Sequence, residues 1–301
     1  MALVAFVVNR TLLRDPRRFL ERCRAAATDR GWDPWFGPAG PAQEGGAQDS
    51  LALTRRAVGA GASLVFAAGG DGTVRACAEA LAGTRVPLAI VPLGTANLTA
   101  RALGVPSRGD RAVAAGFGGR DHAIDMGHAT LVEGGTWFTA MAGIGLDAAV
   151  VAAAGERLKR RLGWAAYAAA GVRRLALPPR EFTIRLDGAE PLRRRARSVV
   201  VANAGLLPGG FTLLPAARLD DGLLDVGILA PSGGWDWIRL AGRVLARGRR
   251  QDRVLECLQA RRVQVSADAV LPRQVDGEIV APGRALTVSV CPGTLVVRLP
   301  G

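Results

Sequence analysis

The chain has 301 residues, 49% of them hydrophobic, and a formal net charge of +13. This length is enough for two domains with ample cores, and the hydrophobic content excludes an intrinsically disordered chain. Four scattered cysteines and two histidines exclude a zinc cluster and a disulfide framework, and are typical of a protein with reduced thiols.

The N-terminal part alternates apolar runs with helical patterns. Strands are predicted at Leu3–Val8, Ser63–Ala68 and Pro87–Val91. Helices are predicted at 15–28, 51–58, 74–81 and 98–103. Strands that alternate with helices indicate an open parallel sheet, which binds its ligands above the carboxyl ends of the strands.

The character of the chain changes near residue 122. Short alternating runs separated by Gly, Pro and Asp are typical of an antiparallel β domain. They lie at Ala123–Leu131, Thr136–Met141, Phe182–Leu186, Ser198–Ala202, Leu224–Leu229, Val263–Val265 and Leu286–Val290. Helical stretches are expected at Ala148–Leu177 and around Trp235–Leu258.

We therefore predict a fold of the α/β plus β class with two domains. Residues 1–122 would form an open, Rossmann-like α/β domain that binds a nucleotide, and residues 123–290 a β-sandwich-like domain. An active-site cleft is expected between the two domains, and the last strand, at about 291–301, would return to the first one.

A glycine loop follows the second predicted strand of the α/β domain. The strand ends in Gly69-Gly70-Asp71-Gly72-Thr73, directly before a helix. Glycines let a backbone approach an anion, and the free N–H groups of a helix N-terminus point at it, so the order predicts a phosphate site. Asp71 would repel a phosphate unless it holds a metal or a reacting hydroxyl. The alternative is an ordinary strand-to-helix turn with Asp71 as its N-cap.

Four further turns carry acidic residues or glycines. Asp125 ends a strand, and Gly143–Asp147 is expected to open the long helical stretch. Asp220–Asp225 carries three carboxylates, and Val275–Glu278 carries two. Each of them alone is an ordinary turn, since Asp-Gly is common in hairpins. The set as a whole, with the glycine loop, indicates phosphoryl transfer, which needs a positioned phosphate, cations and an oriented acceptor hydroxyl.

These motifs, in this order, resemble the diacylglycerol kinase catalytic-domain family, specifically its soluble bacterial lipid kinases. The matching segments are Gly69–Thr73, Pro92–Asn97 with Arg101, Asp125, Gly143–Asp147, Asn203–Phe211, Pro215–Asp225 and Val275–Glu278. The resemblance covers nearly the whole chain. The glycine loop alone would also suit the NAD kinases, which are distant relatives of similar build.

The resemblance implies ATP and Mg²⁺ as cofactors and a role for each matching residue. ATP would contact Asn9, Gly69, Gly70, Asp71, Gly72, Thr73, Thr95, Asn97 and Arg101. The remote Mg²⁺ would bind Asp221 and the carbonyls of Arg218 and Leu223, with Asp125 and Asp220 in the surrounding acidic network. Glu278 and Asp276 would take the proton of the lipid hydroxyl, and Asp71 would complete the catalytic set.

Two departures from the family pattern leave parts of this assignment open. The family usually has Asn-Pro and a Ser/Gly-rich turn after the first strand, where this chain has Asn9-Arg10-Thr11-Leu12-Leu13. Diacylglycerol kinases often have Asp where this chain has Leu98, so the acceptor lipid is left open.

The expected function is an ATP- and Mg²⁺-dependent lipid kinase, a phosphotransferase with an alcohol acceptor such as diacylglycerol. The alternatives are NAD kinase-like phosphorylation of a soluble nucleotide, or a regulator that binds nucleotide or lipid without turnover. The positive charge favours an anionic membrane surface as partner, and the few aromatic residues argue against nucleic acid. No transmembrane or signal segment is evident, so a cytoplasmic, transiently membrane-associated protein is expected; the oligomeric state, a homodimer included, is left open.

Overall fold

The computed structural model describes residues 1–37, 47–131, 134–145, 178–207, 211–245 and 253–300. The chain divides into two compact units, Met1–Ile124 with Gly293–Gly301, and Asp125–Pro292. The domain boundaries at residues 122 and 290, and the separate role of each domain, stay predictions. The helix predicted at Ala148–Leu177 lies entirely outside the described residues.

The N-terminal unit is built on a parallel sheet in the order β4–β3–β1–β2. Its strands are β1 (Ala2–Val8), β2 (Trp32–Trp35), β3 (Ala62–Gly69) and β4 (Leu88–Pro92). Its helices are α1 (Pro16–Thr28), α2 (Ala47–Gly59), α3 (Asp71–Leu81), α4 (Leu98–Ala102) and α5 (Gly109–Gly118). β3 is buried along nearly its whole length, as expected of a central parallel strand covered on both faces.

The C-terminal unit is built from antiparallel strands in the order β14–β13–β10–β7–β15–β16, with β8 and β9 continuing from β15. The first six strands are β5 (Arg120–Leu131), β6 (Gly134–Phe138), β7 (Met141–Gly145), β8 (Arg180–Leu186), β9 (Leu192–Ala196) and β10 (Ser198–Ala202). The others are β11 (Leu206–Leu207), β12 (Phe211–Thr212), β13 (Leu224–Leu229), β14 (Leu255–Ala260), β15 (Arg262–Val275) and β16 (Glu278–Leu299). One helix, α6 (Gly234–Leu245), follows β13. Inward-facing Phe138, Ile144 and Phe182 are fully buried in the core.

The predicted fold class is confirmed, with parallel α/β structure in the first unit and antiparallel β structure in the second. The helix expected around Trp235–Leu258 is wrong at its C-terminal end, because Leu255–Ala260 is strand β14. β14 pairs with β13 from Leu224↔Ala260 to Leu229↔Leu255 and so satisfies the backbone polar groups of a fully buried strand.

The strand expected at Thr136–Met141 is two strands, β6 and β7. The chain turns at Thr139 and Ala140, whose backbone N–H groups donate to the carboxylate of Asp276 instead of to a neighbouring strand. Gly143–Gly145, expected at the start of a helix, belongs to β7, and Leu146 and Asp147 lie outside the described residues.

β2 and α5 were not predicted. Pro34 within Trp32–Trp35 argues against a strand, and β2 accommodates it because it lies at the edge of the sheet. Among the described residues, no helix is both long and apolar enough to cross a membrane.

Candidate functional site

The loops that follow β3 and β4 meet at the carboxyl edge of the parallel sheet. The backbone N–H of Leu93 donates to the carbonyl of Gly69 at 2.9 Å. A Cβ added to Gly94 would lie 2.7 Å from the Cα of Gly70. This approach leaves no room for a side chain at Gly94. The loops Gly69–Thr73 and Pro92–Asn97, here called the two glycine loops, therefore form one surface of backbone atoms.

Asn97 fixes the second loop. The backbone of Asn97 adopts a left-handed conformation, with φ of 47°. Its side chain accepts a hydrogen bond from the N–H of Gly94 at 3.0 Å and donates one to the carbonyl of Gly94 at 2.7 Å. Nε of Arg101 donates to the carbonyl of Ala96 at 2.9 Å. Both side chains therefore shape the loop that leads into α4.

Asp71 joins the first loop to the second. It is the first residue of α3, and Gly70, rather than Asp71, is the N-cap of that helix. The carboxylate of Asp71 accepts a hydrogen bond from the N–H of Leu98 at 2.6 Å, at the first residue of α4. Because the first N–H groups of a helix lack partners within the helix, Asp71 caps α4 and ties the two loops together.

The remaining residues predicted to bind the cofactor surround these loops. The N–H of Asn9 donates to the carbonyl of Ala68 at 2.8 Å, so the end of β1 lies beside the end of β3. Thr73 is buried against Gly69, and Thr95 is exposed. The N-terminus of α3, which has no side-chain cap at Gly70, directs its first N–H groups to this edge, as in sites that bind anions.

The contact between Gly70 and Gly94 leads to a testable prediction. In Gly94→Ala the new methyl group would also lie 2.9 Å from Oδ1 of Asn97 and would push the loops apart. We expect a loss of about 1–3 kcal/mol in the free energy of unfolding, measured by denaturant or thermal unfolding. Gly59→Ala is the control, since its methyl group would meet nothing within 4 Å. Equal stability of the two variants would show that the loops can separate without cost.

The acidic turn 218–225 of the C-terminal unit is organised around Asp125. Asp125 is buried; its N–H donates to the carbonyl of Leu219 at 2.6 Å, and its carboxylate accepts from the N–H of Gly222 at 2.7 Å. Asp221 is exposed and accepts from the N–H of Leu223 at 3.0 Å. These contacts hold Asp125 against the turn that carries Asp221.

Asp220 has a different environment from Asp221. It forms an exposed ion pair with Arg218, whose Nε lies 3.1 Å from its carboxylate. The guanidinium of Arg218 therefore neutralises Asp220 at the surface. An exposed pair of this kind contributes little to stability.

Asp225, the last carboxylate of the acidic turn, has a raised pKa. Burial above all, with a smaller contribution from the negative charge of Asp221, raises the pKa of Asp225 to about 6, against a hydrogen bond from Gln259 that lowers it. No group of three His, Cys, Asp or Glu side chains in the described ranges could hold a metal ion. A cation here would thus depend on carboxylates together with backbone carbonyls and water, and an oxygen-only set of this kind fits Mg²⁺.

Asp276 anchors the chain turn between β6 and β7. One carboxylate oxygen accepts from the N–H groups of Ala140 and Met141, both at 2.9 Å. The other accepts from the N–H of Thr139 at 2.9 Å and from its hydroxyl at 3.2 Å. Asp276 is buried, while Glu278, two residues later at the start of β16, is exposed.

Asn203 links Asp276 to the acidic turn. No individual role is predicted for this residue from the sequence. Its side-chain amide donates to the carbonyls of Asp125 and Thr139, at 2.8 and 3.2 Å. Asn203 is fully buried. The signal that indicates such a role is a polar residue directly after the wholly apolar end of β10.

The structure thus gathers the predicted site residues into two groups. The predicted nucleotide-binding residues and Asp71 lie in the N-terminal unit. Asp125, the acidic turn, Asp276 and Glu278 lie in the C-terminal unit, where Asn203 connects the first three.

Two family models match consecutive parts of the chain. A diacylglycerol kinase catalytic domain matches residues 18–129, and a YegS C-terminal NAD kinase beta sandwich-like domain matches residues 140–299. A probable lipid kinase YegS-like of Pseudomonas aeruginosa is 36% identical over 84% of this chain and 82% of its own length. A protein of the same name from Pseudomonas fluorescens is 34% identical over 96% of this chain and 94% of its own.

Solved structures share the fold at low sequence identity. A diacylglycerol kinase of Bacillus anthracis superposes with a TM-score of 0.71 at 19% identity, over 99% of this chain and 96% of that one. An NAD kinase of Archaeoglobus fulgidus in complex with ATP has a TM-score of 0.51 at 13% identity, over 98% and 92%.

Proposed function

The chain belongs to the diacylglycerol kinase catalytic-domain family, and on this basis we propose that it transfers the γ-phosphate of ATP, with Mg²⁺, to a hydroxyl of a membrane lipid such as diacylglycerol. The observation that carries the proposal is the pair of glycine loops, which Asp71 joins to each other while Asn97 fixes the second of them. The relatives named as lipid kinases, which match along most of the chain, support the lipid as acceptor.

The N-terminal unit would bind the nucleotide. The N–H groups at the start of α3 and the glycine backbone would donate to phosphate oxygens, and the exposed Thr95 and Arg101 would add a hydroxyl and a positive charge. Gly69–Thr73 and Asn9 would surround the same phosphates. The fold neighbour from Archaeoglobus fulgidus was solved with ATP, in keeping with a nucleotide in this fold.

The C-terminal unit would hold a structural Mg²⁺. Asp221, with the carbonyls of Arg218 and Leu223, would supply its protein ligands, and Asp125 and Asp220 would lie around them. Bound Mg²⁺ supplies positive charge that relieves the repulsion between carboxylates. Asp125 contributes by keeping the turn in shape through Gly222, and Asp220 by pairing with Arg218.

Glu278 would act as the general base. The lipid oxygen attacks the γ-phosphorus, the bond from this phosphorus to the oxygen that bridges the β- and γ-phosphates breaks, and ADP leaves with the electron pair. The hydroxyl proton passes to the carboxylate of Glu278, which is exposed to an incoming substrate. Asp276, whose oxygens already accept four hydrogen bonds, would keep the turn in position.

Leu98 does not narrow the choice of lipid. Because the residue is leucine, the position that often carries Asp contributes no carboxylate here. The side chain of Leu98 is buried, and its N–H donates to Asp71. Leu213 and Leu214 are buried in the core of the C-terminal unit, so their side chains are not exposed to an acyl chain.

Transfer of label from γ-labelled ATP with Mg²⁺ to a total lipid extract tests the proposal, with NAD in a parallel reaction. A labelled lipid, identified by mass spectrometry, is the expected result and names the acceptor. Label on NAD would establish the NAD kinase-like alternative. ATP binding without any transfer would indicate a regulator without turnover.

We also propose that the protein binds peripherally to an anionic bilayer through α6. Trp235 on this helix is 79% exposed, whereas Leu240 packs into the core below it. Six arginines and one acidic residue follow between positions 239 and 253. An exposed indole beside a basic segment is the composition of an interfacial anchor.

Removal of this indole should weaken membrane binding. We expect Trp235→Gln to bind phosphatidylglycerol vesicles about tenfold more weakly in a co-sedimentation assay, since the buried apolar area of the anchor is lost. Val270→Gln, at another apolar side chain that is 58% exposed, is the control and should bind like the wild type. Equal binding of all three proteins would exclude α6 as the anchor.

A further inference from the structure

The turn that follows β1 brings an arginine to the edge of the sheet where the glycine loops meet. Asn9 caps a 3₁₀ helix, Arg10–Leu12, by accepting hydrogen bonds from the N–H and the hydroxyl of Thr11 at 3.2 and 2.7 Å. The N–H of Asn9 is bonded to the carbonyl of Ala68, at the end of β3. Arg10 therefore directly follows a residue that is fixed against the strand leading into the glycine loop.

The same turn packs against the glycine loop itself. Cδ1 of Leu12 lies 3.9 Å from the position that a Cβ of Gly70 would occupy. The N–H of Leu13 closes the turn on the carbonyl of Arg10 at 3.2 Å. The backbone of Arg10 is thus held at both sides, and the turn is a fixed part of the carboxyl edge of the sheet.

The side chain of Arg10 lacks a partner for one of its donors. Its Nε is buried and has no hydrogen-bond partner in the part of the chain that the structure describes. Buried donors are nearly always paired, and the guanidinium carries a full charge that makes an unpaired donor costly. Because the turn that carries Arg10 packs against the glycine loop, a bound phosphate is a candidate for the missing acceptor.

We propose that Arg10 is a phosphate-binding residue of the nucleotide site and that its guanidinium donates to a phosphate oxygen of ATP. The inference rests on the function proposed above and adds a residue to it. A guanidinium matches the geometry of phosphate and stays charged at all working pH values. Arg101 has its Nε engaged with the carbonyl of Ala96, so Arg10 supplies a donor that Arg101 does not.

The proposal assigns a role to the sequence that departs from the family pattern. The segment Asn9-Arg10-Thr11 has no glycine with which to approach an anion by its backbone. In its place the turn offers the charged side chain of Arg10, on a backbone that Asn9 caps. Nucleotide binding should then depend on charge at residue 10 rather than on a bare backbone.

Binding of ATP and of adenosine to the full chain separates this role from a merely structural one. We expect Arg10→Gln to raise the Kd for Mg²⁺–ATP about tenfold or more and to leave the Kd for adenosine unchanged, by isothermal titration calorimetry. Arg10→Lys keeps the charge but loses the fork of donors, and should recover part of the affinity. Arg14→Gln, at an exposed arginine just beyond the turn, is the matched control and should bind both ligands like the wild type.

Three outcomes would overturn the proposal. An ATP affinity of Arg10→Gln within twofold of the wild type would show that no phosphate contact is made. If Arg10→Gln and Arg10→Lys weaken the binding of ATP and the binding of adenosine equally, Arg10 only shapes the site. If the wild type itself binds no ATP, the proposed function fails together with this inference.

Discussion

Glu278→Gln is expected to lower the turnover of the kinase by about 10²–10⁴-fold, the range that a general base contributes. Glutamine keeps the size of the side chain but cannot take the proton of the lipid hydroxyl. Because Glu278 is proposed to contact the acceptor hydroxyl and is not among the predicted ATP contacts, the Kd for ATP should stay at the wild-type value. Turnover is measured by product formation and ATP affinity by calorimetry.

Glu190→Gln is the control for this prediction, since it removes a second exposed carboxylate of the same unit. It should retain full turnover. If Glu278→Gln retains it as well, the base lies elsewhere and the turn 275–278 has another role.

Asp276→Asn should destabilise the C-terminal unit by about 3 kcal/mol. The amide that replaces one carboxylate oxygen is itself a donor and cannot accept the hydrogen bonds that Asp276 now receives. The N–H of Thr139, or those of Ala140 and Met141, then lose a partner, depending on which oxygen is replaced. The expected decrease in melting temperature is about 6–12 °C, since a loss of 1 kcal/mol lowers the melting temperature of a domain of this size by about 2–4 °C.

Asp187→Asn is a closely matched control for Asp276→Asn. Asp187 also has a left-handed conformation before a glycine and also accepts from two backbone N–H groups, but it is exposed. Water can replace its partners, so we expect a loss of at most about 1 kcal/mol. Similar losses in the two variants would show that burial of Asp276 has no energetic importance.

Asp276 and Glu278 were predicted as a catalytic pair, and these variants separate their roles. At a temperature where Asp276→Asn is still folded, it should retain more turnover than Glu278→Gln. The reason is that its contacts in the structure are those of a carboxylate that positions a turn. The reverse order would assign the proton transfer to Asp276.

The sequence was sufficient for features that depend on neighbouring residues. The Gly69–Thr73 loop follows β3 and opens α3 as predicted, because glycine content, an apolar run and helical spacing are all local. The turn 275–278 is a hairpin turn, with Val275 opposite Glu278. Local patterns were misleading at β14, where the pairing of strands decides, and at Thr139 and Ala140, where contacts with the distant Asp276 turn the chain.

The contacts that hold the site together could not be predicted, because they join side chains to backbone groups far away in the chain. Asp71 bonds to the N–H of Leu98, and Asp276 to the N–H of Met141, 135 positions away. Any residue except proline supplies a backbone N–H, so the partner residue carries no signal in the sequence. The two carbonyls to which Asn203 donates carry no signal either, and only its polar side chain directly after β10 indicates its role.

Hydrogen–deuterium exchange of the full chain, with and without Mg²⁺–ATP, tests most directly whether the joined glycine loops are the nucleotide site. Bound phosphates accept hydrogen bonds from backbone amides and so slow their exchange. We predict that protection is concentrated in peptides that cover residues 69–74 and 93–98. ATP that binds with measurable affinity but leaves these amides unprotected would contradict the account.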